Sequence, residues 1–258
     1  MTDDIQATIE DLKQISSKIA DFTEINLIQL KDIFETEELE NDFYFGIIRR
    51  QSAFNLDINT IIKNRKHNNY VSLLIIARCI IDDYIRLKYV IKNDNPIEKI
   101  IDINADALKK TFSNLENLAV VNEKAIYGLP PYYPTIKYVE NLLDEFKSKT
   151  KNHIYFTDDK LSYFKHLPSL KNIVKSFELN DIGKNVNRAF YIWSHLSDYI
   201  HYSNSSFILE SNPDNTKTNI NYLQETLFYS KEIVLLSFNY FEKKHNISTI
   251  GLNNFIAQ

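Results

Sequence analysis

The sequence predicts an all-α protein, a single helical bundle with a buried central helix. Only 4 Gly and 6 Pro in 258 residues leave few of the tight turns that sandwiches, barrels and dinucleotide folds require. Apolar residues also recur at helical spacing along most of the chain. From Val71 to Ile91 they fall on every side of the helical wheel, so this helix must be covered on most faces and marks the centre. A chain of this length can bury most of its apolar surface. We expect one domain over 1–258, with N-terminal helices over about 1–69, a core bundle over about 70–245 and a tail over 246–258.

Thr2 before Asp3 and Asp4 predicts an N-cap with an acidic first turn, and Ile5, Ile9, Leu12, Ile19 and Phe22 give the first helix its stripe. Leu27 to Lys66 reads as one or two helices with a charged "ETEELEND" junction, ended by "HNN" at 67–69. After the central helix, Asn95-Pro96 breaks the chain, and Pro96 suits the first turn of "PIEKIIDINADALKKTFSNLENLAV". "YGLPPYYPT" must be extended and admits a subdomain boundary. "IKYVENLLDEFKSKTKN" is amphipathic and ends in lysines that suit its C-terminal dipole, whereas His153 to Lys165 carries no clear period. Pro168 with "SLKNIVKSFE" predicts a short helix, "LNDIGKN" a turn, and Val186 to Asn204 a helix. A polar loop, "NSSFILESNPDNTK", precedes a last long helix that Thr218 would cap. No internal repeat or sustained heptad register occurs.

The net charge of −4 and a pI near 5.9 give no global footprint for nucleic acid, leaving only a local basic patch to consider. The cluster "KNRKH" at 63–67 reads as a helix end. Cys79 has no partner cysteine, which excludes an internal disulfide, fits a reducing compartment and reads as a small buried hydrophobe. No secretory leader pattern opens the chain, and its apolar runs are interrupted before the ~20 residues of a membrane span. The expectation is a soluble cytoplasmic protein with no membrane contact.

On the central helix Arg78, Asp82 and Arg86 are spaced by four and share one face. Asp82 could pair with both arginines, and such charges, if buried, need a polar partner from another helix. On the helix from Val186 the core face comprises Ala189, Phe190, Trp193, Leu196 and Ile200, with His201 at its edge beside Ser194 and Ser197. His201 is thus the expected partner of the Arg78 and Asp82 stripe. Arg188, Tyr191, His195, Tyr199 and Tyr202 gather on the opposite side. An aromatic outer stripe fits a homodimer interface or RNA stacking. His195, Asp198 and His201, spaced by three, fan around the helix instead of converging, so no metal is expected. No phosphate-loop, dinucleotide or nucleophile-elbow motif occurs, and no cofactor is expected.

"SLLIIARCIIDDYIRLKYVIKN", "LPSLKNIVKSFELN" and "YIWSHLSDYIHYSN" together resemble a bacterial all-helical family, domain of unknown function 5677. Arg78, Asp82, Tyr191, Ser197 and His201 stand at family-like positions. Asp82 replaces the more usual Glu, and no Pro follows His201. The resemblance covers roughly residues 70 to 205. Its architecture is similar to the HEPN bundles, many of which are endoribonucleases of toxin–antitoxin and antiphage defence systems that join an Arg and a His across a dimer. That likeness implies Arg188 and His195, enclosing "AFYIWS", as catalytic residues, although Ala189 replaces the polar residue that commonly follows the Arg. His would act as general acid/base and Arg would stabilise the phosphorane, without a metal. The alternative is a non-catalytic binding or regulatory module in which Arg78, Asp82, Arg86, Tyr191, Ser197 and His201 form an internal polar cluster.

Overall fold

A computed structural model describes residues 3–34, 38–64, 71–124, 134–197 and 213–256. The described residues are all-helical, apart from one isolated bridge between Phe156 and Phe164. The helices are α1 Asp3–Leu27, α2 Lys31–Phe34, α3 Leu39–Asn64, α4 Val71–Ile91, α5 Pro96–Lys124, α6 Ile136–Ser148, α7 Leu170–Lys175, α8 Asp181–Ser197, α9 Pro213–His245 and α10 Leu252–Ile256. No described helix is long and apolar enough to cross a membrane.

The chain divides into two compact units, Met1–Ile91 with Leu170–Gln258, and Lys92–Ser169. The division falls at Lys92 and Ser169, not at "YGLPPYYPT", whose Pro134 and Thr135 lie inside the second unit. That unit has its own aromatic cluster, which gives it a core independent of α4. Phe146 lies 5.7 Å from Phe112, and Phe164 lies 4.5 Å from Phe156 between ring centroids. The stretch without a clear period is a 3-10 segment over Thr150–Tyr155 followed by the isolated bridge. Both are too short to leave a periodic signal.

In the first unit α4 is central, packed against α3, α7, α8 and α9. Ala77, Ile80, Ile81, Tyr84, Ile85, Leu87 and Val90 are fully buried, as all-round apolarity requires. α1 closes the bundle against α3 and α9. The tail joins this core: Phe255 of α10 stacks on Phe22 at 4.0 Å. The backbone N–H of Ile250 donates to the Asn26 side-chain oxygen over 2.7 Å.

Two helix starts differ from the expected ones. α9 begins at Pro213, and Thr218 lies inside it; a proline at the first position costs no helical hydrogen bond. α8 begins at Asp181, because the Asn180 side chain accepts the Gly183 N–H over 2.9 Å and so caps the helix. The predicted turn is thus the cap. Its glycine is needed for space: a Cβ on Gly183 would stand 1.8 Å from the carbonyl oxygen of Glu178. Gly183→Ala is expected to destabilise by at least about 1–3 kcal/mol, because backbone must move to admit the methyl group. An unchanged urea midpoint would refute this.

Candidate functional site

About one helical turn after Leu74, Arg78 reaches the margin of the α4–α8 contact. Its guanidinium carbon lies 4.4 Å from the centre of the Trp193 ring. Its Nε donates to Ser197 Oγ over 3.0 Å, and that hydroxyl donates to the Trp193 carbonyl over 2.8 Å. Trp193 and Ser197 are one helical turn apart, so α8 offers one flat face and one acceptor to a planar cation. Two expected residues are therefore joined across 119 positions of sequence.

The expected pairing of Asp82 with both arginines is corrected. Among the described residues Asp82 takes Arg86 at 2.6 Å, while Arg78 turns to α8. The cause is geometric: Arg86 is one turn C-terminal of Asp82, the favourable order for an i, i+4 pair, and the indole holds Arg78 elsewhere. His201, Asp198, Tyr199, Ile200 and Tyr202 lie outside the described residues, so the expected His201 contact does too. Tyr191 is not part of this cluster. It is 57% exposed on the other side of α8, where its ring lies 5.4 Å from the Arg188 guanidinium.

The α8 core stripe also shifts from the expected one. Val186, Ala189, Ile192 and Leu196 are fully buried, whereas Phe190 and Trp193 are half-buried at its margin with their rings 5.7 Å apart. The shift is what frees the indole face for Arg78.

The outer side of α8 meets α9 in a second cluster. Arg188 donates from Nε and from one terminal nitrogen to the two carboxylate oxygens of Glu225, at 2.8 and 2.5 Å. This fork-to-fork pair raises the Arg188 pKa further above its ordinary value. The Tyr222 ring is shared: Arg188 lies 5.5 Å from its centre and the His195 ring meets it edge-on at 5.1 Å. Burial, then a hydrogen bond with Tyr191, raise the Tyr222 pKa. So Arg188 and His195 do share one side of α8, but His195 is half-buried against a tyrosine instead of solvated.

A third polar group was missed in the sequence. Asp83 is 6% exposed at the contact of α3, α4 and α9. Its Oδ2 accepts from Gln51 Nε2 at 3.0 Å and lies 3.2 Å from Arg50 Nε. Ser230 Oγ donates to Gln51 Oε1 over 2.9 Å, and Asn55 Nδ2 donates to Ser230 Oγ over 2.7 Å. Burial pushes the Asp83 pKa up to about 7 against the opposing field of Arg50, whose half-exposed side chain is screened by water. The signal was present: Asp83 shares the wheel sector of Ile80 and Leu87, and Gln51 and Asn55 are spaced by four on α3. The neighbouring Cys79 is half-buried with its pKa raised chiefly by burial, which disfavours the reactive thiolate.

Among the described residues no three His, Cys, Asp or Glu side chains are grouped to hold a metal. Compared with family models, curated proteins and solved structures, the chain finds no match.

Proposed function

We propose that the protein is a non-catalytic helical binding or regulatory module whose polar cluster is centred on Arg78. The observation that carries this reading is the seating of Arg78 on Trp193 and Ser197, which couples the central helix to α8 through a half-buried cation. A cluster of that kind holds two helices in one arrangement and offers charged hydrogen-bond donors beside them. The Arg188 guanidinium, by contrast, is committed to Glu225, and a phosphorane would have to displace that carboxylate before drawing on its charge.

The convergence of Arg188 and His195 on Tyr222 favours a second reading, a HEPN-like metal-independent endoribonuclease of antiphage defence or toxin type. In that reading a cytoplasmic homodimer formed along the Tyr191 side of α8 would present the pair to RNA. In the first reading the partner is a protein or a small ligand. Incubation with total RNA in the presence of a chelator separates the two. The binding-module reading expects intact RNA from both the wild type and His195→Ala. Cleavage by the wild type that disappears in His195→Ala would overturn it in favour of the nuclease.

A further inference from the structure

The second unit contains an open groove of about 240 Å³ between α5 and α6. Its lining residues on α5, Lys109, Phe112 and Glu116, follow the helical period, as do Ile136, Glu140 and Leu143 on α6. Phe164 completes the apolar floor, its ring 5.9 Å from that of Phe112 with the planes only 22° apart. The pair forms a wall and does not fill the space. Glu116 and Glu140 line the same groove from α5 and α6, and among the described residues neither makes a salt bridge. Lys109 lies two helical turns from Glu116, about 10 Å along the axis.

We propose that this groove is a binding site for a small organic cation, an ammonium group on an apolar body. Glu116 and Glu140 set two formal negative charges against the one positive charge of Lys109 in the groove's lining, so the site favours a cation. The aromatic floor adds attraction for the same charge through its ring faces and shelters the apolar body. An anion would be repelled by both glutamates at this end. The volume, smaller than the ~300–1,000 Å³ of drug-sized sites, confines the ligand to a small amine.

The test uses the full chain and three probes that share one body: phenylbutylamine, phenylbutyrate and phenylbutanol. Titration is followed in the amide NMR spectrum. The amine is expected to shift resonances around Phe112, Val139 and Phe164 with millimolar affinity, to bind at least about tenfold more tightly than the other two, and to lose that advantage in Glu116→Gln/Glu140→Gln. Both glutamates are exposed, so this variant should keep its fold, which its own spectrum checks. Equal affinity for the three probes, shifts confined to other residues, or an undiminished preference in the double variant would each overturn the proposal.

Discussion

Arg78→Ala is expected to lower the unfolding free energy by about 2–4 kcal/mol, the combined loss of a stacked cation, a charge-assisted hydrogen bond and the packed aliphatic stem. His195→Ala should cost less than about 1.5 kcal/mol, since its ring is half-buried on the outer side of α8 and meets Tyr222 edge-on. The comparison isolates the polar junction from the outer cluster, because the two residues have no common partner among the contacts described above. Arg78→Lys sharpens it further. Lysine keeps the charge but lacks the planar fork, so it should recover only part of the loss. Urea unfolding of the three variants checks this, and equal small shifts for all of them would remove the Arg78 cluster as an organising feature.

The fold was legible because the dominant signal was extreme. The apolar residues of α4 are on all sides, and only a helix surrounded by others can satisfy that; α3, α7, α8 and α9 supply the neighbours. That Arg78 needs a partner from another helix was legible for a related reason, since a charge on a covered helix demands one; the partner expected was His201, which lies outside the described residues, and Ser197 takes the Arg78 Nε instead. What escaped were features that depend on a few degrees of rotation or on local caps. Two adjacent aspartates differ by only ~100° around a helix, so a reading that settled on Asp82 passed over the more deeply buried Asp83 beside it. The start of α8 was read as a turn because Asn180 and Gly183 carry turn-like chemistry in both roles. Asn95-Pro96 and Pro168 stand at the two ends of the second unit, but such breaks mark helix ends throughout the chain and do not by themselves announce a division into units. The division follows instead from the clustering of Phe112, Phe146, Phe156 and Phe164, which is visible only once the chain has folded.

Asp83 makes the stability of the bundle depend on pH in a direction opposite to that of most paired carboxylates. Its folded pKa of about 7 stands above the ordinary 3.8. Below about pH 4 the group is protonated in both the folded and unfolded chain and contributes no slope. Between about pH 4 and 7 the folded chain keeps the proton that the unfolded chain releases, so stability falls as pH rises through this window. Above the folded pKa both states are ionised and the loss is complete, on the order of 2–4 kcal/mol. Asp83→Asn keeps the shape and still presents an oxygen to Gln51 Nε2 and Arg50, but it cannot ionise. The difference in unfolding free energy, wild type minus variant, should therefore become more negative between about pH 5 and pH 8, with Asp83→Asn the more stable protein at the upper end. Arg50 on α3 and Arg86 on α4 oppose the shift, while Asp82 adds to it. Replacing Arg50 by Gln should accordingly raise the Asp83 pKa and extend the falling limb to higher pH. Urea midpoints across this range decide the matter: parallel profiles for the wild type and Asp83→Asn would mean that Arg50 and Gln51 already hold Asp83 ionised, and that the network is an ordinary buried ion pair.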